Sequence, residues 1–453
     1  MSEASSAPRQ QKDHEAREVI RTALDTSLLV EAAAGTGKTA SMVTRMVELI
    51  KTGALQSVAT VAAVTFTRKA ASELRARFQA ELEAAVGAPD APEADAPGTT
   101  REERARLEDT LANIDQCFIG TIHSFCARLL RERPVEAGVD LAFEEIEEEE
   151  DRLLRLEAWD EYAARLIADD PEGIMTELHE LGLTVTDLAD AFVAFADFPD
   201  VDEWPVPPPE RILPGLDDVK TTIKVYAKRM RACDHLPDDP PPPSGGRRLV
   251  HEYRRLPWLV QRSDLDEPPA LIDVLEQFDR DAPSMSNDVK KAGWAEFAKD
   301  EQAEWKRVRE VVHPVLEAVR EIRYRESMKA LTGARALYDD IRARRGKLNF
   351  QDLLMKAADL LRDKPQVRAY FNARFTHLLV DEFQDTDPIQ AQVMLFLTAD
   401  DPNETDWKAC KPRPGSLFVV GDPKQSIYRF RRADIVTYND VKEIIGKNGR
   451  VVE

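Results

Sequence analysis

At 453 residues the chain exceeds what one hydrophobic core usually serves, and 43% hydrophobic with 32% charged residues is the composition of a folded protein with more than one compact unit. No apolar run is long enough to span a bilayer and the polar N-terminus MSEASSAPRQQKDHEAR lacks the apolar core of a secretion signal, so no membrane is expected and the cytoplasm is the default location. The formal charge of −21 argues against a surface that coats nucleic acid indiscriminately, which makes local clusters of Arg and Lys the informative ones.

The first predicted strand, Ser27 to Glu31, runs into the loop Ala32-Ala33-Ala34-Gly35-Thr36-Gly37-Lys38-Thr39 and then into a helix to Leu49. This is the strand, loop, helix context of a phosphate cradle. Gly35 and Gly37 let the backbone curl so that its N–H groups face the phosphates at the positive end of the helix. Lys38 is placed to neutralise β/γ-phosphate charge and Thr39 to ligate Mg²⁺, which makes ATP with Mg²⁺ the expected ligand. Ala32 stands where the strict pattern has its first glycine.

Further strands are expected over Val58 to Thr65 and Cys117 to Ile122, each followed by a helical pattern, Arg68 to Ala85 and His123 to Arg133. The first delivers Thr65-Phe66-Thr67-Arg68-Lys69 to its carboxyl end; the second delivers Gly120-Thr121-Ile122-His123-Ser124-Phe125, with Arg128 and Arg131 behind it. Taken singly, Phe66 and Phe125 read as core residues. Their shared edge with cations favours a common ligand groove. Residues 87–100 read as a flexible insertion, and the acidic run Glu144 to Asp151 as a solvated face.

Residues 136–345 contain no convincing strand. Val315, Val319 and Ile322 recur at helical spacing, while Pro205 to Pro209 and Pro240 to Pro243 break the pattern. Cys117, Cys126, Cys233 and Cys410 have no C-x-x-C pairing and read as buried thiols.

Strand patterns return at His377 to Asp381 and Ser416 to Val420. The first ends in Asp381-Glu382. Alone, such a pair is an ordinary strand end; below a phosphate loop it reads as a Mg²⁺ carboxylate, Asp381, and a base for the attacking water, Glu382. The second leads to Gly421-Asp422-Pro423-Lys424-Gln425, either a plain turn or one whose Gln425 meets the γ-phosphate or the water. Ser426-Ile427-Tyr428-Arg429-Phe430-Arg431-Arg432 then interleaves rings with guanidinium groups, a composition suited to stacked bases beside a phosphate track.

The alternation of strand and helix predicts an α/β fold, a parallel sheet flanked by helices, with a mainly helical subdomain inserted in it. The expected division is 1–135 and 346–453 for the nucleotide-binding domain and 136–345 for the insertion.

The segments AAAGTGKT, TFTRKAASELRAR, GTIHSFCARLLRERP, LNFQDLL, LLVDEFQDTDPIQ and FVVGDPKQSIYRFRRADI together resemble the N-terminal half of a UvrD-type superfamily 1 DNA helicase, closest to the RecB and AddA branch. The resemblance implies a RecA-like P-loop NTPase fold and an ATP-dependent, 3′-to-5′ helicase or translocase of DNA repair or recombination. It makes Lys38 and Thr39 the phosphate and Mg²⁺ ligands, Asp381 the Mg²⁺ carboxylate, Glu382 the base, and Gln384 and Gln425 the nucleotide-state sensors. For single-stranded DNA it implies contacts from Thr65, Phe66, His123, Tyr428, Phe430 and Arg431, with Arg68 beside them. Phe430 stands where relatives often place a tryptophan. The glutamine that reads adenine in many relatives has no clear counterpart: Arg17 stands near its place, and Gln10 and Gln11 come too early.

The chain stops at Arg450-Val451-Val452-Glu453, about where the family's second motor domain begins. On that resemblance the second motor domain, with its catalytic arginines, and a C-terminal nuclease domain are expected to be absent. The expected partners are single-stranded DNA or duplex ends with single-stranded tails, and a RecC-like or AddB-like subunit or a separate chain carrying the second motor domain. Two other readings stand beside the helicase: a truncated module that binds ATP and DNA without turning over, and a P-loop enzyme for a small molecule, which leaves the aromatic and basic segments without a ligand.

Overall fold

The computed structural model of the protein describes residues 7–33, 37–89, 98–169, 173–201, 203–205, 216–232, 255–280, 295–425 and 435–452. The chain divides into two units, residues 1–147 with 346–453 and residues 148–345.

Strand residues 28–30, 61–65, 378–380 and 417–421 of the first unit are buried whichever face they point to, as apolar runs without clear alternation demand. The strands are β1 (Leu28–Glu31), β2 (Val61–Thr65), β3 (Phe118–Thr121), β4 (Glu144–Glu145), β5 (Lys347–Leu348), β6 (His377–Val380), β7 (Leu417–Gly421) and β8 (Arg450–Val452). Six of them form one sheet in the order β3-β2-β6-β7-β1-β8. Every neighbouring pair is parallel, with Leu28 opposite Phe418 and Arg450, Ala62 opposite Phe118, and Val61 opposite His377. All strand ends therefore emerge at one edge.

Alternate residues point to opposite faces. Leu29, Val64, Leu378, Val380 and Val419 join the helices Ile122–Glu132, Phe350–Asp363, Pro388–Thr398 and Ile435–Asn448 in one core. Leu28, Val30, Val61, Leu379, Phe418 and Val420 join the helices Lys38–Lys51 and Arg68–Val86 in the other. Each fully buried side chain of this size contributes about 1.5–3 kcal/mol, so the two cores hold the sheet from both faces.

The strand expected over Val58 to Thr65 is shorter: Val58–Thr60 forms a 3₁₀ turn, capped by Ser57, whose hydroxyl accepts from Ala59 N, and extended pairing begins at Val61. Among the described residues of 136–345 there is one short strand. β4 pairs in parallel with β5, Glu144 opposite Lys347, so the chain entering the second unit lies beside the chain leaving it. Two-residue strands carry too little periodicity to be seen in sequence. The end of the chain supplies β8, at the edge beside β1.

The second unit is helical, with Glu148–Asp169, Ile174–Glu180, Val185–Phe195, Leu216–Ala232, Pro268–Glu276 and the long Ala295–Arg344. Val315 and Val319 lie in its core with Ile223, Phe278 and Trp305. Residues 206–209 and 240–243 of the proline-rich breaks lie outside the described residues, as do Asp90 to Pro97 of the expected insertion and Cys233. The other three cysteines are buried free thiols.

Candidate nucleotide site

The carboxyl edge of β1, β7 and β6, three adjacent strands, gathers most of the expected phosphate and carboxylate residues. Ala32 N donates to Gly421 O at 3.1 Å, which ties the exit of β1 to the exit of β7. Ala33 follows it, exposed. Ala34, Gly35 and Thr36 lie outside the described residues. Gly37 has φ 93°, a left-handed conformation that favours glycine, and begins the helix Lys38–Lys51 without any side-chain cap. The N-cap glycine has no side chain to accept from the first-turn N–H groups, and such groups suit an anion.

Lys38 is 8% exposed, unusual for a lysine. Its Nζ meets Glu382 Oε2 at 2.8 Å. Thr39 Oγ1 donates to Asp381 Oδ2 at 3.0 Å. Two adjacent residues of the loop thus pair with two adjacent residues of a strand exit on the far side of the sequence.

That pairing depends on how the chain leaves β6. Asp381 N donates to Val64 O at 2.9 Å, the last link to β2, and Glu382 N then donates to Asp381 Oδ1 at 3.0 Å. Glu382 has φ 53°, the left-handed conformation that no other non-glycine adopts among the described residues. Such a conformation costs about 1–3 kcal/mol and persists where the surroundings over-determine it. Here the strand must stop and enter the 3₁₀ turn Phe383–Asp385 within two residues.

Burial, and then the neighbouring Glu382, raise the pKa of Asp381. Burial also works against the charge of Glu382, but hydrogen bonds from Gln384 and Lys38 prevail and hold it below the usual carboxylate range. A carboxyl biased toward its neutral form and one held in its charged form stand side by side.

Gln384 locks the arrangement. Its Nε2 donates to Glu382 Oε2 at 2.6 Å and its Oε1 accepts from Asp422 N at 2.9 Å, joining the exits of β6 and β7. Gly421 permits this, since a Cβ there would stand 3.1 Å from Gln384 Oε1 and 3.2 Å from Gln384 N. Gln425 lies one turn on and donates its amide to Asp422 Oδ2. With Lys424 N it keeps the Asp422 carboxylate charged, the Gln425 bond first.

Asp385 was not singled out in the sequence. It is buried, its Oδ1 has no hydrogen-bond partner among the described residues, and burial followed by the charge of Glu382 moves its pKa up to about 6. The signal for it was present: Asp381, Glu382 and Asp385 are three carboxyls in five residues directly after an apolar strand.

Of the residues expected at DNA, four are described. Thr65 is buried, and its hydroxyl donates to Thr67 O at 3.1 Å. Phe66 is half-buried. Arg68 is exposed and pairs with Glu147 at 3.3 Å. His123 is half-buried with its ring 5.2 Å from that of Phe350, and burial brings its pKa down to about 4, so it is neutral at physiological pH. Phe125 is fully buried against Phe118 and Phe375, a core residue. Tyr428, Phe430 and Arg431 lie outside the described residues.

With this geometry in place, residues 12–445 match the family described as the UvrD/REP helicase N-terminal domain. The chain belongs to this family. It is also similar to proteins named as ATP-dependent helicase/nuclease subunits. The one from Levilactobacillus brevis is 27% identical over 459 residues, covering 90% of this chain and 34% of the relative. That of Listeria welshimeri is 26% identical over 481 residues, covering 93% and 36%, and that of Moorella thermoacetica 28% over 461 residues, covering 90% and 30%. The chain spans about a third of the length of these curated relatives. Among the described residues, no helix is long and apolar enough to cross a membrane.

Proposed function

We propose that the chain is the ATP-binding motor domain, with its inserted helical unit, of a cytoplasmic DNA helicase or translocase that moves 3′ to 5′ on single-stranded DNA in repair or recombination. The observation that carries this reading is the double pairing of Lys38 with Glu382 and Thr39 with Asp381. Each member is a residue type that phosphoryl-transfer sites require, and the loop and the carboxylates meet at one sheet edge.

Among the described residues no three His, Cys, Asp or Glu side chains cluster as a metal site. That suits Mg²⁺, which keeps waters and phosphate oxygens as ligands and needs only one or two protein groups. Thr39 Oγ1 and Asp381 Oδ2, 3.0 Å apart, fit as those two. Bound there, the ion would neutralise phosphate charge.

Lys38 then turns from Glu382 to the phosphate, and the freed Glu382 carboxylate accepts a proton from the attacking water. Gln384, bonded to both Glu382 and Asp422, and Gln425 carry the state of the γ-phosphate toward β7. Thr65 ends β2, Phe66 and Arg68 follow it, His123 follows β3, and Tyr428, Phe430 and Arg431 follow β7 in sequence, so in this reading single-stranded DNA runs along the same edge. That the relatives are named as subunits supports a further chain, of AddB-like or RecC-like character or one carrying a second motor domain.

The test is ATP turnover by the complete protein with and without single-stranded DNA. Turnover stimulated by DNA and lost in Lys38→Ala is expected; unchanged turnover in that variant refutes the assignment.

A further inference from the structure

The second unit holds a cavity of about 340 Å³ whose lining is mostly apolar. One wall is a stripe of the helix Ala295–Arg344: Val315, Val319, Ile322 and Glu326 follow one another at helical-turn spacing and so share a face. A second wall is Leu271, Ile272 and Leu275 of the helix Pro268–Glu276. Leu181, just past the helix Ile174–Glu180, and Leu216, at the start of Leu216–Ala232, complete the apolar lining.

Arg323 of the long helix ties these walls together. Its Nε donates to Leu181 O at 2.6 Å and its Nη1 meets Glu276 Oε1 at 2.8 Å. The space is therefore built into the helix packing and does not wait for a ligand to open it. Close-packed interiors hold few voids larger than a water molecule, and a mostly apolar cavity in the size range of small-molecule sites is a place where an apolar group gains by replacing water.

The charges of the lining do not balance. Lys220 Nζ meets Asp266 Oδ1 at 2.8 Å, and Arg325 Nε donates to Glu326 Oε1 at 2.9 Å, with Lys329 Nζ 2.6 Å from the other oxygen. Among the described residues, each cation that lines the cavity thus has a carboxylate of its own. Glu177 and Glu180 also line it, one turn apart and both exposed, and neither has an ion-pair partner among the described residues. The surplus is negative. An anion would be repelled there, and a neutral hydrocarbon would leave the two carboxylates unused.

We propose that this cavity binds a small-molecule hydrophobic cation: an aromatic or branched alkyl group that fills the apolar space, carrying an ammonium or guanidinium that meets Glu177 and Glu180. The volume suits one compact group, which favours a free small molecule over a stretch of protein. The site shares no residue with the nucleotide site, so its test needs neither ATP nor DNA.

The test titrates the 453-residue chain by calorimetry at low salt with three probes of similar shape, phenylbutylamine, phenylbutanol and phenylbutyrate, and records the melting temperature with each. The amine is expected to raise the melting temperature and to bind about 3- to 10-fold more tightly than the alcohol, as one or two exposed charge pairs allow, with the carboxylate weaker than either. Glu177→Gln combined with Glu180→Gln, at exposed positions outside the core, is expected to bring the amine to the affinity of the alcohol and to leave the alcohol unchanged. Ile322→Trp, at a half-buried position, fills the cavity and is expected to abolish binding of all three. A wild-type chain that binds none of the probes, or binds amine and alcohol equally, overturns the proposal. So does a double glutamine variant that keeps the preference for the amine, or an Ile322→Trp chain that is folded by circular dichroism and binds the amine as the wild type does. Should Ile322→Trp not fold, the double glutamine variant decides alone.

Discussion

Lys38 Nζ and Glu382 Oε2 are 2.8 Å apart although 344 residues separate them. On the proposed function, the cation that receives phosphate is engaged by the carboxylate that receives a proton, so the two stay paired until phosphate oxygens compete for the lysine. Glu382→Gln removes that competition along with the base. The variant is expected to bind an ATP analogue at least as tightly as the wild-type chain while turnover in the complete protein falls by about 10²- to 10⁴-fold. Parallel nucleotide titrations and steady-state assays check both halves of the expectation; weakened binding of the analogue contradicts the competition.

Gly421 sets how closely β7 approaches the carboxylate turn. In Gly421→Ala the added Cβ meets the Oε1 and backbone N of Gln384, 3.1 and 3.2 Å away, and backbone cannot swing aside as a side-chain tip can. Gln384 is expected to lose its bond to Asp422 N, with turnover down by about tenfold or more, equivalent to about 1.4 kcal/mol of misplacement in the transition state. Circular dichroism should still report the folded sheet. Wild-type turnover in this variant shows that Gln384 need not bridge the two strands.

Asp385 carries a sign that can be worked out. Its pKa rises from 3.8 to about 6, so the folded protein favours the neutral carboxyl. The group costs nothing below pH 3.8, costs progressively more from there to about pH 6, and costs its full amount above. Asp385→Asn should therefore raise the melting temperature of the nucleotide-free chain at about pH 8, with the gain fading as the pH falls through about 6. A gain that is flat from about pH 5 to 8 counts against a charge origin.

Arg45 tests the support behind the loop. Its buried guanidinium donates to the carbonyls of Ile20, Ala23 and Thr26 at 3.0, 3.0 and 2.9 Å and lies over the Phe418 ring. Burial brings its pKa down to about 10, so it stays charged at neutral pH. Arg45→Met removes these three hydrogen bonds and is expected to cost on the order of 3 kcal/mol in urea denaturation. At temperatures where the variant is folded, its affinity for nucleotide should match the wild type; a selective loss of nucleotide affinity assigns Arg45 a part in the site itself.

Much of this was legible before any coordinates. The loop after β1, the carboxylate pair after β6 and the turn after β7 stood out because each is a local event: an apolar run ends and a few residues of defined chemistry follow. Asp385 and Asp422 were harder to single out. An aspartate in a turn is ordinary until burial or an amide from a distant strand gives it a task, and neither can be read from its neighbours in sequence. Thr65 illustrates the reverse, since a hydroxyl that sequence places at a strand end is turned inward to the Thr67 carbonyl.

By itself, the amino-acid sequence determined the class of fold and the end of the sheet where chemistry collects. Apolar runs followed by helical periodicity force parallel strands buried on both faces, and parallel strands all finish at one edge. The order β3-β2-β6-β7-β1-β8, the edge strand Arg450–Val452, the pairing of β4 with β5 and the left-handed Glu382 were decided only by tertiary structure. These depend on which distant segments share backbone hydrogen bonds, and a hydrogen bond between Asp381 and Val64, or a salt bridge between Lys38 and Glu382, leaves no trace in the local pattern of either partner.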